Sequence, residues 1–483
     1  MQNIDAPASA LKPGLQRPVL LILVLGLVAS VLLYASRVVP WDTALLGLAI
    51  IWTAALPGIL YLQGIGRGPV PFFPAVGVFY IVFFGLPVFT LPFGYTGADN
   101  IILYNRVILT FVKPEVLALV LLSIGAMVGA FYMSRAFLFN RLRAFRFANE
   151  AQAPAINILL AGLIVSHVAF QYLPVLRQVP SLGQLLGPAG FLGFGGYYLL
   201  WARGQTYRLD AAAIFFILLP LEIFSRVRVF FLTDIILLAV FFIFLFWREG
   251  RMKILAGLTG FILIVLLAYT ASTNLRSLSN DTAEKFKIVG KGFVENLLHG
   301  KITDPEIDVE NTYADGRFAP LVKRMSHIWI FHWVYDQSPT PIPYWDGFSY
   351  RPLITSFVPR VLYPDKPREV SGHTFGQRYG LLSNSSSTTS VNIPWLTELL
   401  ANFGPWGAVL GMFLVGVFLA FLDTLFNRRG MSDLEFVIGL TLIFPLVYPE
   451  SNISVMTGSL LPLFIVLFAY FYVGLKMLHN WRA

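Results

Sequence analysis

Within the stretch SYRPLITSFVPRVLYPDKPREVSGHTFGQR, residues 349–378, stand Arg351, Arg360, Lys366, Arg368 and Arg378. Tyr350, Tyr363 and His373 lie among them, and the acids there are Asp365 and Glu369. Guanidinium groups grip oxyanions with paired N–H donors, and ammonium groups add point charge. The chemistry that this set suits is the binding of a polyanion such as a diphosphate. A charge run is most often a solvated surface, and here it could be a basic loop over lipid. The interleaved aromatics, with prolines at 352, 359, 364 and 367, favour a site, because a merely solvated run needs neither.

A second cationic element is SRVRVFFLTD, residues 225–234. Arg226 and Arg228 sit directly beside apolar sequence. Ionisable groups at membrane depth are costly and therefore often functional; the competing reading is snorkelling to lipid headgroups. Glu222, one turn earlier, and Asp234, within the following span, could each orient an arginine. No P-loop, GxSxG, HExxH or dinucleotide fingerprint occurs. There is no cysteine, which removes disulfides and thiol chemistry. His327 and His332 are five residues apart and do not align on one helical face for a metal. They read as interfacial aromatics, and His167 reads as a packed core residue. Asp42 and Asp99 stand alone, and the acidic stretch 303–311 reads as a solvated loop.

The elements that must position these residues are membrane helices. The chain is 57% hydrophobic and 13% charged, with a mean hydropathy of +0.70, which no soluble chain of this length shows. Apolar runs near twenty residues recur, and the alternation of a membrane barrel is absent. The expected fold is an all-α polytopic membrane protein with about twelve spans: 18–36, 41–63, 70–93, 115–134, 153–173, 186–202, 210–225, 229–247, 253–272, 403–425, 433–449 and 455–477. With glycines 187, 190, 193, 195 and 196, the 186–202 segment reads as either a re-entrant or a tightly packed helix. With a cytoplasmic N-terminus, the inner segments collect most of the loop arginines and lysines, including Arg135, Arg143, Arg203, Arg248 and Arg429. Arg37, Arg106, Lys113, Arg177, Arg226 and Arg228 fall outside, which agrees with the positive-inside rule. Both termini are then cytoplasmic. Three parts follow: a bundle over 1–272, a large outer loop over 273–402, and a C-terminal bundle over 403–483. Helical periodicity in 281–298 and 316–336 predicts short helices in the loop. The net charge of +9 points to topology and anionic lipid, not nucleic acid.

SRVRVFFLTDIILL, then GFSYRPLITSFVPRVLYPDKP in a long outer loop, then VNIPWLTELLANFGPWGAVLGM, resembles the O-antigen polymerase (Wzy-type) family of oligosaccharide repeat-unit polymerases. The resemblance runs from about residue 210 to 425; earlier residues match as a hydropathy pattern. It implies a GT-C-like, metal-independent, inverting glycosyltransferase of the bacterial inner membrane, acting on the periplasmic face without a cofactor. Its partners would be donor and acceptor glycans on undecaprenyl diphosphate, membrane lipids and, in addition, a chain-length regulator. Arg226 or Arg228, and Arg360, are the implied diphosphate residues. Lys366, Arg368, His373 and Arg378 follow in the same loop, with Arg351 and Tyr363 as further binding residues. By type, His373, Glu398 and Tyr363 could serve as the base, although Glu398 suits packing and capping equally well. Trp345, Trp395 and Asn402 could line a sugar groove, although such tryptophans more often anchor the membrane interface. Two other readings stay open: an O-antigen ligase, which differs in acceptor, and a transporter or flippase for lipid-linked glycans. A transporter should show internal symmetry, which this chain lacks.

Overall fold

The computed structural model describes residues 13–36, 39–65, 68–89, 100–103, 106–109, 112–142, 153–179, 182–227, 232–250, 327–355, 372–384, 390–427, 430–458 and 460–480, with 257, 325, 358 and 363 singly. Apart from residue 257, the expected span 253–272 lies outside them, as do the loop helix 281–298 and the acidic stretch 303–311.

The apolar runs form helices because a backbone in lipid must satisfy its own polar groups. In chain order these are α1 (Pro13–Ala35), α2 (Trp41–Leu62) and α3 (Phe72–Tyr80, extended by a π-turn at Ile81–Gly85). A hairpin follows, β1 (Asn100–Leu103) against β2 (Arg106–Leu109), with Ile101 opposite Ile108. Then come α4 (Pro114–Met133), α5 (Ala153–Tyr172) and α6 (Leu182–Ala202). The next apolar run is helical from Arg208 to Ala213, passes a π-turn at Ile214–Leu218 and continues as α7 (Leu219–Val227), and α8 spans Leu232–Arg248. The loop contributes α9 (His327–Gln337), α10 (Arg351–Thr355) and α11 (Gly372–Arg378). The chain closes with α12 (Trp395–Phe426), α13 (Asp433–Ile443), α14 (Ile453–Gly458) and α15 (Leu460–Asn480). Among the described residues six stretches are long and apolar enough to cross a membrane, as in a multi-pass membrane protein: Trp41–Leu62, Phe72–Phe89, Pro114–Leu138, Pro154–Tyr172, Trp395–Phe426 and Ile453–Leu478.

Small residues set the packing. α4 and α12 run side by side in the same direction, because Gly416 lets α12 close onto the Met127 carbonyl. Two turns on, Arg135 pairs with the buried Asp423. The glycine-rich segment 186–202 is a tightly packed helix, one of the two forms its composition allows. Gly190, Gly193 and Gly196 abut His167, Ile164 and Leu160 of α5, and Gly195 abuts Phe241 of α8.

Charges sort the two ends. At one end Arg203 and Arg248 both bind Asp433, near Arg135 and Asp423. At the other, Lys113 binds Asp336 of α9 at 2.7 Å. Segments that the charge pattern assigns to one side thus meet on one side.

One break in a helix decides where the loop docks. Gly404 has φ 72° and ψ −168°, a conformation that suits glycine, and Pro405 follows. Proline has no N–H, so the Ala401 carbonyl loses its donor four residues on. The kink also frees the Asn402 carbonyl. Loop amides replace both: Trp345 N–H donates to Ala401 O at 3.0 Å and Asp346 N–H to Asn402 O at 3.1 Å. Asp346 (φ 48°) and Gly347 (φ 80°) then turn the chain back into the short helix Phe348–Tyr350. Ser349 is thereby set against α12. Residues 395–402, which the sequence assigns to the outer loop, are therefore part of the first arm of the kinked helix α12.

Candidate functional site

Glu398 lies on the first turn of α12 and is fully buried. Ser349 Oγ donates to its Oε1 at 2.6 Å, and the Ile453 amide donates to its Oε2 at 2.7 Å. That amide is one of the N–H groups left free at the start of α14. Asn402, one turn after Glu398, donates through Nδ2 to Ser349 Oγ and to the Glu398 carbonyl, both at 2.8 Å. Ser454 Oγ donates to the Ser349 carbonyl at 2.8 Å. Three parts of the chain, the loop at 349, α12 and α14, thus meet on one carboxylate. A buried charge is tolerated only when it is hydrogen-bonded in this way.

Two polar atoms in this shell are buried without a hydrogen-bond partner: Asn402 Oδ1 and the Tyr350 hydroxyl. Orphans of this kind are rare in packed interiors. Burial, reinforced by the nearby Glu398 charge, holds the Tyr350 phenol well above its ordinary pKa, so it stays a donor. Its ring stacks on Phe403, with centroids 5.7 Å apart.

A second carboxylate is close by. Glu450 sits in the non-helical segment between the short helix Phe444–Val447 and α14. It accepts from Asn392 Nδ2 and lies 3.4 Å from His327 Nε2. Asn452 Oδ1 caps the start of α14 by accepting from Val455 N–H. Glu450 is three residues from Ile453, so its Cα lies at most about 11 Å from the residue that holds Glu398.

Among the expected cations, Arg351 opens α10 and is exposed, with Cζ 5.1 Å from the Phe348 ring centroid. Arg378 ends α11, donates to the Pro343 carbonyl at 2.8 Å and lies over Trp345, which makes it a brace for the loop. His373 is half-buried in α11, and Tyr363 is 40% exposed. Arg228, Arg360, Lys366 and Arg368 lie outside the described residues, as does the side chain of Arg226, whose backbone is in the last turn of α7. Of these cations, Arg351 is thus two residues after Ser349 with its guanidinium over Phe348, and Arg378 makes a bracing contact.

Three expectations change. Trp345 and Trp395 are core residues rather than groove walls: both are buried, and Trp395 Nε1 donates to Met456 Sδ. Asn402 belongs to the carboxylate network. His327 and His332 are buried rather than interfacial; His327 stacks on Phe83, while His332 faces Asp336 at 3.4 Å. His167 is a core residue as expected, and it is also a partner. Its Nε2 is 2.7 Å from Glu222 Oε2 and its Nδ1 2.6 Å from the Leu186 carbonyl. A carbonyl only accepts, so Nδ1 carries hydrogen, and His167 and Glu222 share one proton between them. Glu222, expected to orient Arg226, thus ties α7 to α5. Among the described residues no three His, Asp or Glu side chains are grouped as metal ligands.

Beside this site runs an apolar cavity of ≈640 Å3, walled by α12 on one side and by α14 and α15 on the other. Tyr350 and Ile453 line its upper end. A family model described as a domain of unknown function (DUF8712) matches residues 136–448, a range that includes Glu222, Ser349, Glu398 and Asn402. No curated protein and no solved structure matches the chain.

Proposed function

The chain belongs to the DUF8712 family, and from its site we propose that it is a membrane-embedded glycosyltransferase that polymerises lipid diphosphate-linked oligosaccharide units. The observation that carries this reading is the fully buried Glu398, fixed by Ser349 and the Ile453 amide, at the foot of the loop that bears the cationic stretch. The proposal includes about twelve spans in a GT-C-like arrangement, cytoplasmic termini and a periplasmic site in the bacterial inner membrane. The donor is the growing glycan on undecaprenyl diphosphate, and the acceptor is a fresh lipid-linked unit.

The acceptor hydroxyl attacks the anomeric carbon from the face opposite the diphosphate. The new C–O bond forms as the bond to the diphosphate oxygen breaks, and the electron pair leaves with the diphosphate. The configuration inverts. Glu398 takes the hydroxyl proton. Two of its roughly four lone-pair positions are engaged, so acceptor capacity remains for that proton. Asn402 holds Ser349, which in turn orients the carboxylate. Arg226 or Arg228, Arg360 and Arg351 neutralise the leaving group, with Lys366 and Arg368 beside them.

The test is reconstitution of the purified protein with one synthetic lipid-linked repeat unit. A ladder of lipid-linked multimers is the expected result. Transfer to lipid A–core instead of to a second unit would make the protein a ligase. Movement of the unit across the bilayer with no new glycosidic bond would make it a transporter and overturn the proposal.

A further inference from the structure

Downstream of the Gly404 kink, α12 reads GMFLVGVFLAFLDTLF over residues 411–426. Gly411, Leu414, Val415, Phe418, Phe421, Leu422, Leu425 and Phe426 recur at steps of three and four, so they form one stripe of the helix. That stripe is one wall of the ≈640 Å3 cavity; Thr457, Leu461 and Phe464 stand on the opposite wall. About fifteen rises of ~1.5 Å between residues 411 and 426 make the stripe roughly 22 Å long, most of a hydrocarbon layer of about 30 Å. Thr457 spends its hydroxyl on the Ile453 carbonyl, so an occupant meets hydrocarbon throughout. Leu414 (66%) and Leu461 (44%) remain exposed along it, which leaves the groove open sideways to the bilayer.

The upper end differs in chemistry. Tyr350 lines it with a buried hydroxyl that has no partner, and exposed Arg351 follows in sequence. Ile453, whose amide holds Glu398, lines it too. A hydrocarbon slot with Tyr350 in its end wall, one residue before the exposed Arg351, fits one long apolar chain with an anionic head. We propose that the groove between α12 and α14–α15 holds the polyprenyl tail of the donor, with its diphosphate at Tyr350 and Arg351. This rests on the transfer reading above, and the choice of donor follows from covalent distance. In the donor, the reacting carbon is bonded to the diphosphate, so its tail begins one diphosphate bridge away from that carbon. In the acceptor, the attacking hydroxyl is at the far end of an oligosaccharide, so its tail lies a full repeat unit away.

The test combines binding and kinetics on the full-length protein in detergent. Leu414→Trp and Leu461→Trp fill the groove, Tyr350→Phe removes the orphan hydroxyl, and Val165→Trp, on an exposed position of α5, is the control. Native mass spectrometry with a polyprenyl diphosphate as probe and phosphatidylglycerol as competitor reads occupancy without any turnover. An indole displaces several methylenes of the chain, so the groove variants should lose about tenfold or more in probe affinity. Tyr350→Phe should weaken the diphosphate probe but not a polyprenol lacking phosphate, and Val165→Trp should bind like the parent. In transfer assays the donor KM should rise and the acceptor KM hold. Parent-like binding by both groove variants, or equal displacement by phosphatidylglycerol, would overturn the groove assignment while leaving transfer intact. A rise in the acceptor KM alone would overturn the donor choice. Groove-dependent binding with no glycosidic bond ever formed would overturn the transfer reading and, with it, the donor label.

Discussion

Replacing Glu398 separates its two roles, because alanine and glutamine remove different things. In Glu398→Ala the Ser349 hydroxyl and the Ile453 amide lose their acceptor inside a fully buried site. Each buried, unsatisfied donor costs about 1–3 kcal/mol, so the variant should be destabilised by about 2–6 kcal/mol. Glu398→Gln keeps the volume. Its carbonyl can accept from Ile453 N–H, and its amide can donate to Ser349 Oγ, which then turns its own proton elsewhere. That rearrangement should cost about 1 kcal/mol. Proton abstraction is lost in both, which should lower transfer by about 10²–10⁴-fold. Unfolding followed by tryptophan fluorescence in detergent reads the first effect, and the initial rate of glycan extension reads the second. The expected pattern is a folded, inactive glutamine variant and a destabilised alanine variant. Parent-like turnover in Glu398→Gln would confine Glu398 to a structural role. An alanine variant as stable as the parent would refute the claim that this carboxylate joins the loop to α12 and α14.

Arg226→Ala, Arg228→Ala and Arg360→Ala test the diphosphate contacts. Loss of one charge-assisted contact to the leaving group should cost roughly 2–4 kcal/mol, a hundred- to a thousandfold in rate, and lysine should rescue poorly because it lacks the fork. Full-length glycan from all three would misplace the clamp. Reporter fusions near Asn384 should read as periplasmic and those near Arg143 and Arg429 as cytoplasmic; a cytoplasmic signal at Asn384 would invert the site. His332 makes stability depend on pH. Its burial lowers its pKa, opposed by Asp336 and Glu115 and assisted by Lys113. The unfolded chain therefore binds the proton more tightly, so this stabilisation is complete above the ordinary histidine value of about 6.5 and is lost as pH falls toward the lower folded value. His332→Phe should flatten that part of the unfolding profile, measured from pH 7.5 to 5.

Much of the helical frame was legible because apolar length is a local property of a chain. The spans at 41–63, 115–134, 153–173 and 455–477 fall on helices, and the glycines of 186–202 announced close packing before their neighbours were known. Residue type marked Glu398 as a candidate base, but its network joins residues 349, 402, 453 and 454, which no spacing rule connects. Ser349 offered no signal beyond its place at the edge of the cationic stretch. Glu450 did leave one: an acid in the polar break YPESN between two apolar runs. The tryptophans were misread because an aromatic that anchors an interface and one that fills a core have the same composition. His167 and Glu222 are 55 residues apart in sequence, and their 2.7 Å contact exists only because α5 and α7 lie side by side.

The amides of Trp345 and Asp346 that take over the two stranded carbonyls beside Gly404 belong to the main chain. The hydrogen bonds themselves use no side-chain atom, yet the turn that offers them is set by side chains: Trp345 is buried in the core against Phe375 and Tyr379, and Asp346 stands at φ 48°, which aspartate and asparagine tolerate better than most residues. The berth also has two weak points on α12: a residue with an N–H at 405, or a side chain at 404, would let the helix run straight and reclaim its own carbonyls, and the loop would lose its hold.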